Sequence, residues 1–208
     1  MRPLLPSMRK GFTRPVAEYP NWFNVTAKAN FEQFLLPEAG GLGLRYLQLG
    51  AFTGDASLWL CKNVLTHPDS RLVDVDTWQG APNEPVQEQM DFEDVYKTYM
   101  SKTDGLRIHT HRTTTQEFLM TENYEWGLGY DFIYVDAHHT AASAFLDSEL
   151  SWPLLKSGGL LAIDDYEWQH PDGNPIHAPK LGVKMFLDRH RGEFDLLALN
   201  SQVWLRKK

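Results

Sequence analysis

The chain has 208 residues, with 20 Lys plus Arg against 27 Asp plus Glu and a formal charge of −7; that length is one domain, or one domain with an added cap. So acidic a balance excludes life on bare phosphate backbone, which runs on clustered Lys and Arg, and 42% hydrophobic with 12% aromatic residues excludes disorder. The single cysteine, Cys61, excludes intramolecular disulfides and Cys-rich zinc sites and fits a reducing, cytoplasmic compartment.

The first 20 residues carry Pro3, Pro6, Pro15 and Pro20 among basic residues and read as an irregular arm. Pro3 and Pro6 break any apolar h-region, so the arm is not expected to be a signal peptide. No later run approaches the ~18 apolar residues of a membrane span. Trp22 to Leu36 is expected as a helix ending before Pro37, with Glu38 to Gly41 as the break. Residues 1–43 thus read as a cap and 44–208 as the main domain.

From there strands and helices alternate. Arg45–Leu49 is a short apolar strand; Asp55–Leu65 is a helix, with Leu58, Trp59, Cys61 and Leu65 on or near one face. Leu72–Asp76 is a second strand, Val86–Met100 a helix, Leu106–Thr110 a strand and Thr115–Met120 a helix. Tyr130–Val135 is a β-rich run ending at Asp136. Thr140–Leu155 reads as a long helix, Ser157-Gly158-Gly159 as a tight turn, and Leu160–Ile163 as a strand ending at Asp164-Asp165. A helix over Leu181–His190 and strands over Phe194–Leu199 and Val203–Arg206, the last two joined around Asn200-Ser201 as a hairpin, complete the chain. The alternation predicts an α/β, doubly wound, mostly parallel sheet, in which ligands bind beyond the carboxyl ends of the strands.

The residues at those ends are the candidate site. Gly50-Ala51-Phe52-Thr53-Gly54 lets the backbone turn sharply and approach a ligand before a helix; a plain tight turn is the alternative. It is neither GxGxxG, since Phe52 holds the middle position, nor a P-loop, since no Lys-Ser/Thr follows Gly54. That missing phosphate loop disfavours a nicotinamide-dependent oxidoreductase. Asp76 can accept from two ribose hydroxyls or serve as a cap. Asp136, Asp164 and Asp165 end adjacent strands, and three converging carboxylates repel unless a cation neutralises them. A hard divalent ion such as Mg2+ suits oxygen ligands; a loop start and a helix cap are the alternative. His139, three residues past Asp136, is placed to act as a general base.

These residues resemble class I S-adenosylmethionine-dependent methyltransferases, with a Rossmann-like seven-stranded sheet and a C-terminal antiparallel hairpin. Leu47 to Gly54 is similar to the first motif of the catechol O-methyltransferase-like branch. Val75 to Gly80, Asp131 to His139 and Pro153 to Tyr166 look like the macrocin O-methyltransferase-like group. The resemblance spans about residues 44–206 and implies S-adenosyl-L-methionine and Mg2+ as cofactors. It implies Gln48, Gly50, Ala51, Phe52, Gly54, Ser57, Asp76, Thr77, Thr114, Thr115 and Asp136 as the cofactor side, with Ser57 on the methionine carboxylate and Thr114 or Thr115 at the adenine. It implies Asp136, Asp164 and Asp165 as metal ligands, and His139 as base with Asp136 beside it. Gln48 departs from the family's usual acid, Ala137 replaces a frequent Gly, and Ala141 stands where an aromatic is expected.

The expected reaction is methyl transfer to a hydroxyl of a small molecule such as a sugar, polyol or catechol-like acceptor. Tyr166 to Pro179 and the arm with Trp22 and Phe23 are expected as acceptor walls, or Trp22 and Phe23 simply cover the sheet. Metal-independent methyl transfer and a non-catalytic nucleoside-binding scaffold are the alternatives. Neither nucleic acid nor membrane is an expected partner, and a homo-oligomer using the arm stays open.

Overall fold

The computed structural model describes residues 19–81, 87–122 and 129–208; most of the expected arm, and the expected helix start at Val86, lie outside them. Seven strands form one sheet: β1 (Arg45–Leu49), β2 (Arg71–Asp76), β3 (Ile108–Arg112), β4 (Tyr130–Val135), β5 (Leu155–Ile163), β6 (Phe194–Leu199) and β7 (Val203–Lys207). Their order is β3-β2-β1-β4-β5-β7-β6. Strands β1 to β5 pair in parallel, and β7 lies antiparallel to both β5 and β6. The chain winds outward from β1 to β3, then returns to β4 on the other side of β1. That reversal opens the crevice where such sheets bind ligands.

Six helices cover the faces: α1 (Lys28–Leu35), α2 (Asp55–Asn63), α3 (Phe92–Thr103), α4 (Thr115–Glu122), α5 (Ala141–Ser151) and α6 (Pro179–Arg189). A parallel strand is apolar on both faces because helices bury both. Leu47, Leu49, Ile133 and Val135 point into a core shared with α4, α5 and α6, while Tyr46, Phe132 and Tyr134 point into a second core under α1 and α2. Phe31 of α1 packs edge-on against Phe132, Tyr134 and Trp204, with ring centroids 5.7, 4.9 and 5.5 Å away. Thus the helix expected in the cap region shares the core of the sheet.

Several boundaries differ from expectation for local reasons. The first helix enters through a π-helical turn at Phe23–Ala27 and ends in a 3-10 turn that contains Pro37. Helix α2 stops at Asn63 and buries Ala56, Ser57 and Leu60, one step round from the expected face. Helix α3 starts only at Phe92, where the Asp91 carboxylate caps the amides of Glu93 and Asp94. Helix α5 ends at Ser151, because Pro153 belongs to a following 3-10 turn. Strand β3 begins and ends two residues later than expected. The expected turn at Ser157-Gly158-Gly159 is instead a bulge inside one long β5, where the register to β4 shifts and Gly158 adopts φ +79°. Gly182 is needed for packing: a Cβ there would lie 1.9 Å from the Ala141 carbonyl oxygen, so α6 rests directly on α5.

Candidate active site

A cavity of about 560 Å³ opens over the carboxyl ends of β1, β2, β4 and β5. Its two ends are built differently. At the β1–β2 end, the loop after Leu49 turns through Gly50 at φ +89°. A Cβ on Gly50 would sit 1.7 Å from the Asp136 carbonyl oxygen, so the ends of β1 and β4 meet here backbone to backbone. Asp76 Oδ2 accepts from the amides of Ala51 and Phe52 at 2.8 and 2.9 Å, and Oδ1 accepts from Trp78 N at 2.7 Å. The carboxylate buckles the loop after β1 to the loop after β2. Phe52 and Trp78 both hold positive φ, +45° and +46°, which costs about 1–3 kcal/mol per residue. The Trp78 indole N–H bonds the Phe52 carbonyl at 2.8 Å and sustains both conformations.

The sequence-predicted cofactor residues divide accordingly. Gln48, Gly50, Ala51, Phe52, Asp76, Thr77, Thr114, Thr115 and Asp136 all line the cavity. Ser57 does not: it lies fully buried on the inner face of α2. Gly54 also lies off the cavity wall, as the left-handed N-cap of α2 against the Tyr99 ring. Gln48 is 2% exposed; its amide N–H bonds the Gly50 carbonyl at 2.9 Å and its Oε1 has no hydrogen-bond donor. An orphaned buried acceptor beside this loop suits a cationic or N–H group of a ligand. Thr115 turns its hydroxyl to Asp147 of α5 at 2.7 Å, and Gln116 bonds the same carboxylate oxygen. Burial pushes the Asp147 carboxyl up to about 6.

At the β4–β5 end, Asp136, His139 and Asp165 bring donor atoms within 4.8 Å of one another. His139 Nε2 lies 2.9 Å from Asp165 Oδ2, and its ring packs on Trp168 at 4.9 Å. Asp165 holds φ +56°, which turns its side chain back toward β4. Asp164, expected as a third ligand, also lines the cavity, with both carboxylate oxygens already accepting hydrogen bonds. Its Oδ2 accepts from the Tyr134 hydroxyl and from Gln202 Nε2 at 3.0 Å, while its Oδ1 accepts from Asp165 N at 2.8 Å. Gln202 is held in turn by Asn30 Nδ2 at 2.8 Å and Trp204 Nε1 at 2.9 Å.

Electrostatics separates the two ends further. Burial first, then the Asp164 and Asp165 carboxylates, raise Asp136 well above the usual carboxyl range, while His139 pulls it down. Burial and the Asp165 charge push Asp164 up to about 6. Crowded acids raised in this way form a site with too much negative charge for its dielectric. Two carboxylates converging beside an imidazole fit a divalent cation held through their oxygens, the hard donors Mg2+ prefers.

Sequence reasoning missed Tyr134, which reaches Asp164 across the β4–β5 pair, Gln202, which reaches it because β7 pairs with β5, and Asn30 of α1, which holds Gln202. It also missed Gln116 and Asp147, whose contact depends on how α4 packs on α5. The aromatic side chains at Tyr134 and Trp168 were visible, but their partners were not.

A family profile described as a methyltransferase domain matches residues 47–166. No curated protein matches the sequence. Among solved structures, a Clostridium thermocellum protein provisionally described as an rRNA methylase superposes with TM-score 0.64 at 12% identity, over 88% of this chain and 98% of that one. An O-methyltransferase from Bacillus cereus in complex with SAH gives TM-score 0.59 at 16% identity, over 89% and 88% of the two chains. MycE, a methyltransferase of the mycinamycin biosynthetic pathway in complex with Mg and SAH, gives TM-score 0.57 at 19% identity, over 92% of this chain and 51% of that one. The chain therefore spans about half of MycE, and at these identities the likeness shows the fold. The cavity at the switch point, the seven-stranded order and the matched residues together show that the chain belongs to the methyltransferase-domain family and is an S-adenosylmethionine-dependent methyltransferase of class I fold.

Proposed function

We propose that the protein methylates a hydroxyl of a small molecule in a reaction that depends on a divalent metal. The observation that carries this reading is the convergence of Asp136, His139 and Asp165 in the cavity that also contains the Gly50–Phe52 loop. The Mg-bound state of MycE supports it. Asp136 and Asp165 would hold the ion, with Asp164 behind them as a further negative charge. When bound, the ion supplies Lewis acidity and charge neutralisation, and S-adenosylmethionine supplies an electrophilic methyl group.

This chain's own residues do the rest. The loop buckled by Asp76 and the orphaned Gln48 Oε1 bind and orient the cofactor side. His139 receives the acceptor's hydroxyl proton; its bond to Asp165 and its packing on Trp168 fix the ring. In the neutral ring, donation from Nε2 to the carboxylate makes Nδ1 the lone-pair nitrogen. Trp168, Trp22 and Phe23 line the same cavity and exclude water from it. Rings in these positions stack on sugars and on aromatic acceptors alike. The net charge of −7 supports a small-molecule acceptor over nucleic acid, and with the lone thiol it supports a cytoplasmic setting. Among the described residues no helix is long and apolar enough to cross a membrane.

The test is calorimetric titration of S-adenosylmethionine and of Mg2+ into wild type and Asp165→Asn, followed by product release with diol, sugar and catechol acceptors. Cofactor binding in both proteins, with Mg2+ heat and turnover only in wild type, is the expected result. Turnover that survives a chelator would overturn the metal requirement and leave a base-only methyltransferase.

A further inference from the structure

The loop between β5 and α6 carries a second group of donor atoms that the reaction does not use. His170, Asp172 and His177 place one ligand atom each within 4.8 Å of one another. His170 Nδ1 lies 2.8 Å from Asp172 Oδ1, and His177 Nδ1 lies 2.7 Å from Asp172 Oδ2. Two imidazoles therefore address the two oxygens of one carboxylate.

The sequence His170-Pro171-Asp172-Gly173-Asn174-Pro175-Ile176-His177 brings them together by local turns. Gly173 N bonds the His170 carbonyl at 2.9 Å, Asn174 N bonds Asp172 Oδ1 at 2.8 Å, and Pro175–His177 forms a 3-10 turn capped by Asn174. These turns hold the donors in place before any ligand arrives. At 2.8 Å, His170 Nδ1 and Asp172 Oδ1 share one proton, which a cation taking the same two donor atoms would displace. The Asp172 carboxyl is held down to about 2, chiefly by Asn174 N and then His177, so it brings no proton of its own.

We propose that His170, Asp172 and His177 form a site for a borderline divalent transition ion such as Zn2+, which staples the loop beside the cavity. Two imidazole nitrogens and one carboxylate are donors that Zn2+ takes at its preferred bond lengths, whereas Mg2+ favours all-oxygen sites. The side chains of Asp172 and His177 are 42% and 43% exposed, which gives an ion an entry path and room for water on its remaining positions. Trp168 links this cluster to the active site, with its ring 5.9 Å from His170 and 4.9 Å from His139. An ion here would hold Trp168 against the proposed base. The inference does not depend on the methyl acceptor or on Mg2+ at Asp136.

The experiment uses chelator-stripped, tag-free full-length protein and measures Zn2+ uptake by competition with a chromophoric chelator. Wild type, His139→Ala, His177→Ala and His177→Gln are compared, with excess Mg2+ present to occupy the acidic cluster. We expect a bound Zn2+ in wild type and His139→Ala, weakened by more than about 100-fold in both His177 variants, since even an outer partner of a metal ligand is worth 10–100-fold. The use of two variants guards against a folding defect in either. The proposal is overturned if wild type takes up no Zn2+, if uptake survives in both His177 variants, or if it is lost in His139→Ala. Displacement of Zn2+ by Mg2+ would also overturn it.

Discussion

The two ends of the cavity solve opposite problems. At the β1–β2 end the chain largely satisfies itself: both oxygens of Asp76 accept backbone amides, while the buried Gln48 Oε1 is left over. At the β4–β5 end Asp136, Asp164 and Asp165 crowd together, and burial with the neighbouring carboxylate charges raises Asp136 and Asp164. The first end is a rigid cradle assembled by folding. The second is destabilised until something positive enters, which is the usual cost of a site built for a cation.

The largest break in that comparison is Gly50→Ala. Its Cβ would overlap the Asp136 carbonyl oxygen at 1.7 Å, at a φ of +89° that disfavours Ala. We expect a loss of at least about 3 kcal/mol in urea unfolding and no cofactor binding. Asp76→Ala comes next. It strands the amides of Ala51, Phe52 and Trp78, so about 1–3 kcal/mol of stability should go, with a fall in S-adenosylmethionine affinity seen by calorimetry. Unchanged affinity would show that the buckle is not what shapes the cradle.

A smaller effect is expected from Gln202→Leu, which removes a donor from Asp164 and the acceptor of Asn30 and Trp204. Stability should drop by about 1–3 kcal/mol. Mg2+ affinity should change while cofactor affinity holds, because the network reaches only the β4–β5 end.

The smallest effect is one of pH. Asp74 lies outside both ends, buried beneath the Tyr99 hydroxyl at 2.8 Å, and burial pushes its carboxyl up to about 7. A carboxyl with its folded pKa raised favours the protonated native state. Its stability is therefore fully present below the unfolded pKa of about 4 and is lost as pH rises toward about 7. Asp136 and Asp164 shift in the same direction. Metal-free wild type should melt at a lower temperature at about pH 8 than at about pH 5. Asp74→Asn should flatten part of that slope, and Mg2+ should recover only the part due to the acidic cluster. Full recovery by Mg2+ would mean that Asp74 contributes nothing.

Much of this arrangement was legible in the residues. The strands at Arg45–Leu49, Tyr130–Val135 and Phe194–Leu199 were readable to the residue, because apolar runs bounded by glycine, acids and turn residues have no other stable use. The Gly50 turn and the acids ending β2, β4 and β5 were equally plain. The bulge at Ser157–Gly159 read as a turn, because glycine pairs signal both and only the pairing partner decides.

The site shows the same division. The types and strand-end positions of Asp76, Asp136, His139 and Asp165 belong to the sequence, since a parallel sheet delivers its strand ends to one edge. Where each carboxylate points does not. Asp164 and Asp165 are neighbours, yet one is bound by Tyr134 and Gln202 while the other turns through a positive φ to meet His139. Ser57 lies one turn into the helix that follows the Gly50–Gly54 loop, yet it faces the core. Local sequence determined which chemistry is available. Tertiary packing determined which of those groups are already paired, because hydrogen bonds between residues as far apart as Asn30 and Gln202 exist only once the sheet has closed over them.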